Sequence, residues 1–199
     1  MSSSVVHFIP ILTTLLAIPF ALEIYRRYRR FPDRLHLLWW ALGIATYGVG
    51  TLTESLTTLL GWQEPVFRAW YVSGALLGAA PLAQGTVYLM LSRKVAHTLT
   101  AVLLLYVAIA ATAVYLSPID YAAVEMHRLS GRVFTWQWVR MFSPFVNLYA
   151  VVFLIGGAIM SALVGTQTHA PARHPAKISK TDRSKTMSNI CERRSSGQI

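Results

Sequence analysis

Glu54 and Arg68 are the residues best placed to do chemistry, because each is an ionisable side chain within a long apolar run of sequence. An isolated charge in hydrocarbon is costly, so such groups pair with each other, face water or mark a ligand or ion site. Tyr47, Gln84 and Asn147 add a phenol and two amides to runs of the same kind. These five residues form the candidate polar site or helix–helix contact. Its simplest chemistry is a Glu54–Arg68 ion pair holding two helices together, and ligand or proton handling is the alternative.

Glu54 falls within "TYGVGTLTES", residues 46–55. At 100° per residue, His36, Trp40, Gly43, Tyr47, Gly50, Thr58 and Gly61 lie within about 40° of it. The opposite face carries Leu38, Leu42, Ala45, Val49, Leu52, Leu56 and Leu59. This partition predicts that the leucines meet lipid and that Glu54 points into the bundle. Gly43 and Gly50 on that stripe, with Gly74 and Gly78 at GxxxG spacing in the next run, are the expected close-packing positions. Pro81 removes a backbone donor and predicts a kink in the same run. Trp70, Ser73, Leu77, Gln84 and Tyr88 form a further stripe there.

The elements that must position these side chains follow from composition. The chain has 199 residues, 54% apolar and 13% charged, against roughly a quarter charged in soluble domains. Five runs reach the length of about 20 helical residues that crosses a bilayer, at residues 5–25, 35–60, 66–90, 96–116 and 142–164. None alternates as the strands of an outer-membrane barrel do. The fold class is therefore all-α, a polytopic bundle over residues 1–165 followed by a disordered basic tail at 166–199.

Charge sets the orientation. Arg26, Arg27, Arg29, Arg30 and Arg34 follow the first run, and Arg93 and Lys94 follow the third, whereas "GWQEP" after the second has no basic residue. The positive-inside rule then puts the N-terminus outside and the C-terminus in the cytoplasm of a cell inner (plasma) membrane. The net charge of +10 is concentrated at these flanks and in the tail, which argues against a nucleic-acid partner. The N-terminal run has its arginines after it, unlike a cleaved secretory signal.

Between residues 117 and 141 the longest loop starts with Ser117, Pro118 and Asp120 and reaches Gly131, signals for a short surface helix. Trp136 and Trp138 suit the membrane interface, and Ser143–Pro144 suit the opening of the last run. The tail holds Arg173, Lys177, Lys180, Arg183, Lys185, Arg193 and Arg194 against Asp182 and Glu192. It reads as solvated, with contact to anionic lipid as the alternative.

No cofactor, metal or catalytic residue is expected. HExxH, GxSxG and phosphate-loop patterns are absent from the sequence, and Cys191 is its single cysteine. His36 with His97, and His7 with His127, fall in pairs at opposite ends of the runs. That invites a bis-histidine haem reading, but nothing in the sequence makes either pair converge. Glu23 sits beside the first arginine cluster and reads as a solvated interface pair.

Across "RLHLLWWALGIATYGVGTLTES", "GALLGAAPLAQGTVYLMLSRKVAHTLT" and "SPFVNLYAVVFLIGGAI" the chain resembles a group of bacterial multi-span membrane proteins without an assigned function. The resemblance spans about residues 5–164 and implies seven helices; here the polar tail stands where two further spans are expected. It implies no catalytic residues.

The leading functional expectation is a non-enzymatic binding, sensor-like or accessory membrane module with helix partners or a homo-oligomeric state. A transporter or channel component with a path near Glu54 and Gln84 is the alternative, although no internal repeat supports it. A membrane-embedded enzyme acting on lipid is the third.

Overall fold

The computed structural model describes residues 9–126 and 128–168. The expectations that fall on residues 5–8, on His7 and His127, and on the tail beyond Thr168 lie outside them. The chain divides into a compact unit, Met1–Ser161, and a second, Ala162–Ile199, whose described part is the end of the last helix.

The described chain is helical, with α1 at Ile9–Arg30, α2 at Leu35–Leu60, α3 at Glu64–Trp70, α4 at Ala80–Met90, α5 at Arg93–Leu116 and α6 at Phe142–Thr168. Five helical segments are long and apolar enough to cross a membrane, with α3 and α4 making up one of them. The helices outrun the apolar runs where basic residues follow. Thus α1 continues through "YRRYRR" to Arg30, because arginine is a good helix former and its charge is favourable at a helix C-terminus.

The third segment is interrupted. After α3 the backbone takes a π-helical turn at Tyr71–Leu76, passes through residues 77–79, and restarts as α4 with Pro81 in its first turn. Proline is tolerated there because a first-turn amide has no intrahelical partner to lose. The kink expected from Pro81 is thus a break just before it.

The expected surface helix in the long loop does not form. Short 3-10 turns at Tyr121–Ala123, Gly131–Val133 and Gln137–Met141 take its place. Asp120 caps the first of them, accepting from the Ala122 amide at 3.1 Å. The loop instead folds back on the helices: Phe134, Val133 and Val139 are buried with Phe67, Tyr71 and Val114 in one apolar cluster. A second cluster joins Leu76 and Ala80 to Leu103 and Ala110 of α5 and Val146 of α6.

Helix α2 is the hub, packed against α1 on one side and α3–α4 on the other. Three of the four expected packing glycines sit at contacts. A β-carbon on Gly43 would lie 2.8 Å from the Leu82 amide nitrogen, and one on Gly50 would lie 3.1 Å from the Gly74 α-carbon. Gly78 differs: a β-carbon there would strike the Gly74 carbonyl of its own chain segment, so its small size serves the interrupted backbone.

Candidate functional site

The structure separates the five sequence-predicted site residues into three places. Glu54 and Tyr47 are exposed on α2, and Tyr47 is 48% accessible. The inward orientation expected of them is therefore corrected. The buried residues of α2 are instead Leu37, Ala41, Gly43, Gly50, Thr51, Thr53, Ser55 and Thr57. Two neighbours grip α2 from flanks roughly opposite each other, and Tyr47 and Glu54 lie on a stripe left between them.

The hydroxyls around Glu54 serve α2 itself. Thr53 donates to the Gly50 carbonyl at 2.7 Å, Ser55 to that of Thr51 at 2.8 Å, and Thr57 to that of Thr53 at 3.0 Å. Side chains bonded back to their own helix are satisfied and seek no partner. Thr14 adds one link between helices, donating to the Thr51 hydroxyl at 2.9 Å.

Arg68 does not pair with Glu54. Its Nη2 lies 2.8 Å from Glu64, one turn earlier on α3. The guanidinium also donates to the carbonyls of Val114, Tyr115 (3.0 Å) and Ser117 (2.9 Å) at the end of α5. The last carbonyls of a helix lack intrahelical donors, and a cation there complements the helix dipole. Glu64 in turn accepts from the Tyr121 phenol at 2.6 Å, and that carboxylate holds the Tyr121 hydroxyl above the usual phenol range. The Glu64–Arg68–Tyr121 knot ties α3, α5 and the long loop together.

Gln84 is fully buried, and its amide joins three helices. Nε2 donates to the Ala96 carbonyl at 3.1 Å and to the Thr100 hydroxyl at 2.7 Å, while Oε1 accepts from Tyr149 of α6. Thr100 also meets the Tyr88 hydroxyl at 3.0 Å, and Tyr88 meets His97 Nδ1 at 2.8 Å. The second histidine of that end, His36, stands edge-on to Trp40 with ring centres 5.2 Å apart. Gln84 and Glu54 share no space, the first enclosed between α4, α5 and α6 and the second on the exterior of α2.

Asn147 lines a cleft of about 600 Å³ between the π turn and the start of α6. Trp70, Tyr71 and Ala75 form one wall; Gln137, Arg140, Ser143 and Asn147 supply the polar groups of the other. Arg140 donates to Gln137 at 3.0 Å, no carboxylate lines the cleft, and no acid within 4 Å pairs with it among the described residues. Asn147 donates to Ser143 at 3.3 Å, and Ser143 donates to the Ala75 carbonyl. Gly131 completes the floor, since a β-carbon there would lie 3.1 Å from the Tyr71 ring and 3.4 Å from Arg140 Nε. π turns recur at functional sites because they turn side chains out of helical phase.

Sequence reasoning missed Arg140, Glu64, Tyr121, Thr100 and Tyr149. The i,i+4 spacing of Glu64 and Arg68 was a readable signal; the others meet only through the tertiary fold. No three His, Cys, Asp or Glu side chains gather among the described residues. No family model, curated protein or solved structure matches the chain.

Proposed function

We propose that the chain is an integral membrane protein whose cleft beside the π turn binds a small amphiphile with an anionic head group, in a non-enzymatic binding or accessory role. The observation that supports this most is Arg140, a cation without an acidic partner among the described residues, in a cleft that is aromatic on one wall and amide-rich on the other. Arginine recognises carboxylate or phosphate through two parallel N–H groups. Asn147 offers a further donor, and Trp70 and Ala75 offer apolar surface to the attached chain.

Positive charge gives the orientation in this reading. The arginines after α1, with Arg93 and Lys94, face the cytoplasm, so the cleft and the long loop face outward. The basic tail is then cytoplasmic.

Two measurements test the proposal. With purified protein in a neutral detergent, dodecyl phosphate and dodecanoate should raise the unfolding temperature where dodecylphosphocholine does not, and Arg140→Gln should weaken that effect at least tenfold. Equal shifts with the zwitterionic compound would remove the anion site. For orientation, an impermeant maleimide added to intact cells should leave Cys191 unlabelled, and it should label Ala123→Cys in a Cys191→Ser background.

A further inference from the structure

We infer that the exposed stripe of α2 between α1 and α4 docks a membrane-spanning helix of another protein, one carrying a lysine or arginine that pairs with Glu54. The inference rests on the membrane reading above but not on the cleft.

Three observations carry it. Glu54 is exposed, and its carboxylate has no hydrogen-bond or ion partner among the described residues. It lies six residues, about 9 Å, inside the end of a helix apolar enough to span a bilayer. A carboxylate at that depth is served by a cation, and none pairs with it among the described residues. Tyr47, two turns earlier on the same stripe, lines a groove of about 560 Å³ with Leu16 and Phe20 of α1, Ile44 of α2 and Leu82 of α4. Groove and carboxylate therefore run along one line, about 10.5 Å from Tyr47 to Glu54.

The groove identifies its occupant by what it lacks. Thr13, its other polar lining residue, already donates to the backbone carbonyls of Ile9 and Pro10. An apolar trough with ridges on both sides and a single charge near one end suits an apolar helix with a single opposite charge. The charge also separates a foreign helix from a second copy of this chain. Arg68 is occupied by Glu64 and three carbonyls, while the α1 arginines, Arg93 and Lys94 belong to the other end of the bundle. A second copy would have to bring Arg128, Arg132 or Arg140, which belong to the long loop between α5 and α6.

The test reconstitutes donor-labelled full-length protein into phosphatidylcholine vesicles with an acceptor-labelled polyleucine peptide of 22 residues carrying one lysine about 9 Å from its outer end. Energy transfer should appear with this peptide and be at least tenfold weaker with an all-leucine peptide. Glu54→Gln should abolish the difference and Glu54→Asp should keep it. Thr58→Lys, which sets a cation one turn from Glu54 on the same helix, should also abolish it while leaving the carboxylate in place. Equal transfer to both peptides, or a lysine preference retained in Glu54→Gln, would overturn the inference. Transfer between two labelled copies of the chain that disappears in Glu54→Gln and in any one of Arg128→Gln, Arg132→Gln and Arg140→Gln would overturn it in favour of self-association. Failure of the protein to float with the vesicles would instead strike the membrane reading, independently of which peptide binds.

Discussion

Arg68 of α3 and Ser117, the residue that closes α5, are joined by a 2.9 Å hydrogen bond from guanidinium to backbone carbonyl. Two neighbouring carbonyls receive the same side chain, so one arginine caps a helix to which it does not belong. Its Glu64 partner is 37% accessible at the side chain, so water screens the ion pair more than the buried carbonyl bonds.

The two sides of that interaction should therefore respond differently to mutation. Arg68→Ala is expected to lower stability by about 3 kcal/mol, through the loss of charged hydrogen bonds to buried carbonyls. Glu64→Gln should cost less, about 1 kcal/mol, because the carboxylate is partly exposed and the amide oxygen keeps an acceptor for Arg68 and Tyr121. Thermal unfolding of both variants in one detergent makes the comparison.

Glu54→Gln should leave the unfolding temperature unchanged, within about 0.5 kcal/mol, because the exposed carboxylate has no hydrogen-bond or ion partner among the described residues. A drop comparable to that of Arg68→Ala would mean that Glu54 has a partner inside the bundle after all.

Gln84 presents the opposite case. Gln84→Leu leaves the half-buried Tyr149 hydroxyl without its acceptor, while Thr100 keeps Tyr88 and the Ala96 carbonyl, and should cost about 2 kcal/mol. A double-mutant cycle with Tyr149→Phe should return a coupling of about 0.6–1.7 kcal/mol, the range for hydrogen bonds between membrane helices. Additive losses would show that the two side chains stabilise α6 separately.

Two glycines should behave in opposite ways. Gly43→Ala pushes a methyl group against the Leu82 backbone and should destabilise by about 2 kcal/mol. A methyl group on Gly156 would meet nothing within 4 Å, so Gly156→Ala should stabilise α6 by about 0.5–1 kcal/mol through helix propensity. Paired melting curves of the single variants decide it.

The helices were legible in the sequence because continuous hydropathy fixes them without reference to neighbours. The contacts of Gly43, Gly50 and Gly74 were legible too, since small residues mark where backbones approach. Orientation about the α2 axis was not. A helical wheel separates leucine from the rest, but it cannot say which arc of the rest two neighbours will cover. Gly43 and Gly50 fell under α4 and the π turn, while Tyr47 and Glu54 on the same nominal stripe stayed outside. The pairing of Arg68 was misjudged for a related reason. Two charges in neighbouring apolar runs pointed to each other, yet Glu64 stood one turn from Arg68 and the carbonyls at the end of α5 lay within its reach. The cleft was hidden because the π turn shifts the phase of the third segment, carrying Trp70 and Tyr71 to a wall that a regular helix would not build.

Three of the side-chain bonds that tether α6 among the described residues have a consequence for the order of assembly. Ser143 reaches the Ala75 carbonyl, Tyr149 reaches Gln84, and Tyr106 of α5 reaches the Phe142 carbonyl, while Phe145, Leu148, Val151, Val152 and Ile155 face away from the bundle. The first two partners come from chain made more than sixty residues earlier, whereas α1 and α2 are consecutive and can zip together as soon as both have emerged. The last helix is thus a late guest, fastened by a few catches instead of a broad seam. It is the first part of the structure that gentle denaturation should set free.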